Sequence, residues 1–155
     1  MKLFRNLLLS AIVLMITLFF LEFVVFRYVF VPSELPRLAA NENGVLKFIP
    51  NQTGTYRIRD EIDAAFHINS NGWNSIHRTY NLEKDTNKPR ICIVGDSYIE
   101  ALQVPYNSSI SEKLEDYLDG AVDSVYRFGL SGAPLSQYLY MIEEEVLTFR
   151  PDYIV

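Results

Sequence analysis

Hydrophobic positions along the chain fall into three regimes. The first is an almost unbroken apolar block, residues 7–26, LLLSAIVLMITLFFLEFVVF, which has the ~20 residues a helix needs to cross a bilayer. It is longer than the ~7–15 apolar residues of a cleavable signal peptide, and no small-residue cleavage pattern follows it. Residues 7–31 therefore read as an uncleaved transmembrane anchor behind a cytoplasmic tail, residues 1–6. Lys2 and Arg5 precede the block, which predicts a single pass with the globular part periplasmic or extracellular, although Arg27 and Arg37 lessen the asymmetry. Glu22 lies inside the block, near enough to its outer end to reach the headgroups or be neutralised; pairing with another helix is the alternative.

The second regime is mixed. Residues 32–48 combine Pro, Gly and Asn with charge, and read as a linker. Residues 49–89 hold short, partly alternating runs on both sides of Asn71-Gly72, the strongest turn signal in the chain, and predict a small strand or hairpin region. It ends in the polar connector NLEKDTNKPR.

The third regime, residues 90–155, alternates strand, helix, strand, helix, strand. ICIV, residues 91–94, reads as a buried strand. The next segment reads as a helix: Ser109 and Glu112 fit a capping box, Ile110, Leu114, Tyr117 and Leu118 form one face, and Gly120 ends it. DSVYRFG is a second strand. PLSQYLYMIEEEVLTFRP opens with Pro134 in a favourable first-turn position, places Leu135, Leu139, Ile142 and Val146 on one side, and stops at Pro151. DYIV begins a third strand. The expected fold is α/β: an N-terminal transmembrane helix, then a partial doubly wound parallel sheet covered by helices, with ligands at the carboxyl ends of the strands.

Composition narrows the function classes. A net charge of -5 with no Lys/Arg cluster excludes a nucleic-acid binder. The single cysteine, Cys92, lies in an apolar run; no disulfide framework or C-x-x-C motif exists, and a small core residue is expected. Glycosylation triplets at Asn51 and Asn107 are short enough to occur by chance.

Candidate chemistry centres on Gly95-Asp96-Ser97, at the end of the first buried strand. A serine at a strand-to-helix turn is exposed on the sheet's upper edge, with its own N–H among the unpaired donors of the helix start. That arrangement suits attack on an acyl carbon with the oxyanion held by backbone N–H groups. Gly132, in GLSGAP after the next strand, is placed to contribute a second donor. By composition alone, Gly-Asp-Ser reads first as a structural turn; its place after a buried strand, with a second Gly-rich turn after the next strand, shifts the reading toward chemistry.

Taken together, IVGDSYIEALQV, YRFGLSGAPLSQYL and RPDYIV resemble the opening half of the GDSL/SGNH hydrolase superfamily, in particular bacterial members with an N-terminal membrane anchor. INSNGWNS resembles the Asn-x-x-Gly-aromatic segment that precedes the nucleophile there. The resemblance covers roughly residues 65–155 and implies a flavodoxin-like three-layer fold, with Ser97 as nucleophile and oxyanion donor and Gly132 as the glycine donor. Gly95 and Asp96 belong to the motif, but Asp96 is not the triad acid. Ala101 stands where the family commonly has glycine, and Arg127 where it commonly has asparagine. The family's Gly-x-Asn-Asp block and Asp-x-x-His segment would follow Val155, so the 155 residues are expected to be an N-terminal portion, truncated after the start of the third strand and itself inactive.

His67 and His77 both precede Ser97; the first is expected in a strand, the second on the surface, neither as base nor metal ligand. Glu143, Glu144 and Glu145 read as a solvated helix face, and Tyr138, Tyr140 and Phe149 as packing residues. No cofactor or metal is predicted. The expected activity is hydrolysis or transfer of acyl or acetyl esters, acylated cell-surface glycans among them, with the bilayer as the other partner; protein partners are not indicated. Two alternatives are a non-catalytic membrane-tethered binding or assembly module and, less favoured by a loop lacking the glycines and lysine of a phosphate cradle, a phosphate-binding domain.

Overall fold

The computed structural model describes residues 2–30 and 32–155, in two units, residues 1–33 and 34–155. The first unit is helical. Helix α1, Lys2–Phe20, continues in π geometry over Leu21–Val29. No Gly or Pro interrupts it, the Thr17 hydroxyl donates from Oγ1 to Val13 O at 2.9 Å, and Phe19 stacks on Phe23 at 4.2 Å. Lys2–Val29 has 28 residues and a peak mean hydropathy of 2.6, long and apolar enough to cross a membrane; an α-helix of that length spans about 42 Å against a hydrocarbon core of about 30 Å.

The second unit opens with two antiparallel pairs: β1 (Leu38–Ala40) with β2 (Leu46–Phe48), and β3 (Gln52–Ile58) with β4 (Ile62–Ile68). Residues 32–48 are thus more than the expected linker. Val45 and Phe48 are buried in the core, and Asn41, taken for connector polarity, closes the turn by accepting the Val45 N–H on its side chain at 2.8 Å. The β3–β4 hairpin turns at Arg59, which takes a left-handed φ of 46°. Asn71-Gly72 instead completes a separate turn after β4, with Gly72 N donating to Asn69 O at 3.1 Å and Ile68 bridging Asn74.

Next comes a parallel three-stranded sheet in the order β6-β5-β7, where β5 is Arg90–Gly95, β6 is Ser124–Gly129 and β7 is Tyr153–Ile154. Helices α2 (Ser97–Glu100) and α3 (Ile110–Leu118) lie between β5 and β6; α4 (Leu135–Glu144) and a 3-10 turn (Val146–Phe149) lie between β6 and β7. Strand alternation divides the core between two faces. Ile91, Ile93 and Val125 pack with Leu114 and Leu118 of α3. Cys92, Tyr126 and Phe128 face the other way, onto Met141, Val146 and Phe149 and onto Phe48, Phe66 and Trp73 of the earlier region. Cys92 is fully buried, and that burial pushes its thiol up to about 12.

The outer edge of β6 is occupied by side chains. Glu115 accepts the Val125 N–H at 2.8 Å, while Tyr80 Oη donates to Arg127 O at 2.9 Å and accepts from Arg127 N at 3.3 Å. The connector before β5 is also tied down: Arg90, 1% exposed, donates to Asn81 O, Glu83 O, Phe149 O and the Asp123 carboxylate at 2.6–2.7 Å.

Both helix faces differ from the simple periodic reading. In α3 the buried side is Ser111 and Glu112, with Leu114 and Leu118 half-buried, whereas Ile110 and Tyr117 are exposed. The cause is Arg127, buried on the α3 side of β6 with its Nε 3.4 Å from Glu112 Oε1, which draws Glu112 inward. Ser109 Oγ then bonds the Glu112 side chain and makes no side-chain cap to the helix backbone. In α4, Leu135 and Leu139 are exposed, Ile142 is half-buried, and Met141 is the buried residue. The helix breaks at Glu145, whose carboxylate accepts from Trp73 Nε1 at 3.1 Å and bonds Lys47, so this glutamate is not part of a solvated face.

Candidate functional site

The chain leaves β5, forms β6 on one side of it, then crosses to form β7 on the other side. The strand order reverses at β5, and in such sheets the crevice opens beyond the carboxyl end of the strand where winding changes direction. Gly95-Asp96-Ser97 stands at that end.

Asp96 caps α2: its side chain accepts the Tyr98 N–H at 3.1 Å, and its carbonyl accepts Ile99 N and Glu100 N at 3.1 and 2.9 Å. Ser97 is the first helical residue, half-buried, and its hydroxyl has no hydrogen-bond partner among the described residues. The helix lasts one turn. It ends because Ala101 takes a left-handed φ of 53°, and Asn74 Nδ2 donates to the last carbonyl, Glu100 O, at 3.0 Å. Asn74 Oδ1 also accepts from His67 N at 3.0 Å, so the INSNGWNS segment braces the end of α2. Alanine is poorly suited to a left-handed conformation. Ala101→Gly is expected to raise the unfolding free energy by up to about 1 kcal/mol in urea denaturation, less the buried methyl it removes; a loss above that size would show that methyl packing outweighs backbone strain.

Gly129, paired with Gly95 across β5 and β6, has a role that sequence reasoning missed. A Cβ at Gly129 would lie 2.0 Å from Glu100 N and 2.3 Å from the Ile99 carbonyl carbon, so the backbone of α2 rests directly on this glycine. The signal in the sequence was a glycine closing each of two consecutive strands.

Gly132 lies three residues beyond β6. Its φ of +76° requires glycine on conformational grounds, since an added Cβ would meet nothing within 4 Å. Neither the Ser97 nor the Gly132 N–H donates a hydrogen bond within the described residues. Ser97 and Gly132 therefore follow adjacent parallel strands at the same end of the sheet, each carrying a spare donor. Between them stands Glu100, 4% exposed, whose carboxylate accepts the Ser131 N–H at 3.1 Å and the Ser131 hydroxyl. Burial raises the Glu100 carboxyl above its ordinary value, and the two Ser131 bonds oppose that shift.

A pocket of about 390 Å³ adjoins the serine, lined by Ser97, Tyr98, Ala101, Gln103 and Val104. On the α4 side, Tyr138 is half-buried, and desolvation together with the Asp96 carboxylate raises its phenol. Phe149 is buried, while Tyr140 is exposed and donates to Asn43 O.

The two imidazoles are engaged elsewhere. His67, in β4, has Nδ1 2.6 Å from Ser75 O. His77 is not a free surface residue: it is half-buried, with Nε2 2.8 Å from Glu115 Oε2. Neither bonds Ser97 Oγ. Among the described residues, no group of three or more His, Cys, Asp or Glu side chains is arranged to hold a metal ion. Comparison with known proteins found no matching family model and no matching curated relative.

Proposed function

We propose that Ser97 is the nucleophile of a membrane-anchored SGNH-type serine esterase or O-acyl hydrolase or transferase, with the globular unit outside the cytoplasm. The observation that carries this reading is the Gly95-Asp96-Ser97 turn at the point where the strand order reverses, with the Ser97 and Gly132 N–H groups unpaired beside it. Ser97 Oγ would attack the carbonyl carbon of an acyl or acetyl ester while a base takes its proton. The two N–H groups would hold the oxyanion. Collapse breaks the ester C–O bond, the alcohol leaves with a proton, and water or an acceptor hydroxyl then attacks the acyl-serine. With His67 and His77 engaged elsewhere, the reading requires a base from outside these 155 residues.

The test is activity-based labelling. A fluorophosphonate probe is offered to membranes carrying the natural gene product, and the adduct is located by peptide mapping. Label on the Ser97 peptide, lost in Ser97→Ala, is expected; label that is absent from that peptide, or survives the substitution, sinks the proposal. The isolated 155-residue chain is expected to leave p-nitrophenyl acetate at its uncatalysed rate. The engagement of both histidines also favours a second reading, a non-catalytic membrane-tethered binding module, for which an unlabelled Ser97 and a specific crosslinked partner would speak.

A further inference from the structure

We propose that Glu100 is a positioning residue, which fixes the loop carrying the Gly132 donor relative to the turn carrying Ser97. The inference rests on the reading of Ser97 as nucleophile and of Gly132 as its second donor.

Glu100 is itself held firmly. Its N–H donates to Asp96 O at 2.9 Å, its carbonyl accepts from Asn74, and its backbone sits where Gly129 leaves no room for a side chain. From that seat its carboxylate reaches the other loop with one oxygen for the Ser131 N–H and the other for the Ser131 hydroxyl. A carboxylate accepting two donors from one residue fixes both that residue's position and its rotation, and such charge-assisted bonds are stronger than neutral ones.

Leu130 is buried in the core and Ala133 packs against it, but the two residues between them have little else to hold them. Leu130 N donates to Gly95 O and Ala133 N to Leu130 O, both at 3.1 Å, while Ser131 and Gly132 are exposed and a Cβ at Gly132 would touch nothing. Glycine at a left-handed position is also the residue most free to reorient its peptide. The direction of the Gly132 N–H therefore depends on where Ser131 is pinned. Burying a carboxyl at this point is costly unless it is well hydrogen-bonded, and an apolar side chain would fill the same space without ordering the loop.

The experiment compares the natural gene product with its Glu100→Gln and Ser131→Ala variants, and follows amide hydrogen exchange together with fluorophosphonate labelling of Ser97 in membranes. Glutamine preserves the shape but removes the charge and one acceptor. The expected result is a rise of roughly tenfold in exchange at Ser131 and Gly132 in both variants, with the β5 amides unchanged, and a matching fall in Ser97 labelling. Unchanged loop exchange in Glu100→Gln overturns the proposal. An equal rise throughout β5 does so too, because Glu100 would then be a general brace of the fold. If Ser97 is not labelled even in the unsubstituted protein, the esterase reading fails and takes the positioning role with it; normal labelling with unchanged loop exchange removes the Glu100 proposal alone.

Discussion

With Arg127 replaced by methionine and Glu112 retained, the unfolding free energy falls by about 3–5 kcal/mol in urea denaturation of the detergent-solubilised chain. Both side chains are almost wholly buried, at 1% and 3% exposure. Burial pulls the Arg127 guanidinium below its ordinary value and the Glu112 charge acts against that pull. Removing the arginine strands a carboxylate whose remaining partners are the Ser109 hydroxyl and the Ile76 N–H, the latter at 3.4 Å. The loss includes the Nη2 bond to Tyr106 O at 3.1 Å, which holds the loop beyond the Ser97 pocket. The pair is nonetheless imperfect, since Arg127 Nε and Nη1 lack hydrogen-bond partners among the described residues. The double change, Arg127→Met with Glu112→Leu, is therefore expected to recover most of the stability, because apolar replacement of both members of a buried pair is often neutral. A single-substitution loss below about 1 kcal/mol would show that water reaches the pair.

Gly129→Ala is expected to cost about 3 kcal/mol and to abolish labelling at Ser97, because the new methyl meets backbone and not a side chain that could swing aside. Its Cβ would stand 2.0 Å from Glu100 N, so α2 must lift off the end of β6. Ser97 begins that helix and Glu100 ends it, so both the Ser97 hydroxyl and the grip on Ser131 move together. Thermal unfolding and the labelling assay check the two halves of this prediction. Alanine at Gly132, where there is open space, strains the backbone without a collision and should cost only about 1–2 kcal/mol.

The apolar helix, the three strands of the parallel sheet and the turn at Ser97 were legible because each depends on a local pattern: a long apolar run, a short apolar run, a glycine followed by polar residues at a strand end. What the pattern could not supply was direction. Periodicity placed Leu135 and Leu139 on an inward stripe, but the helix docks through Met141 and is halted when Glu145 turns to Trp73, 72 positions earlier in sequence. Ser109 and Glu112 had the spacing of a capping box, yet Glu112 serves a guanidinium on another element. Nothing in the local pattern marks Glu100, and only the fold brings Ser131 to it. Charged residues whose partners are remote carry no period, so sequence assigns them to solvent by default.

The side chains lodged along β6 also give the sheet a direction of growth. A newcomer strand needs a run of free carbonyls and amides, and along β6 the Val125 N–H and both the N–H and the carbonyl of Arg127 are already spoken for by Glu115 and Tyr80. Tyr153 and Ile154 on β7 have no such occupants among the described residues and are exposed. A strand that joins, whether from the same polypeptide or from a neighbour, is therefore templated on the β7 margin in preference to the β6 margin, so recruitment is one-sided.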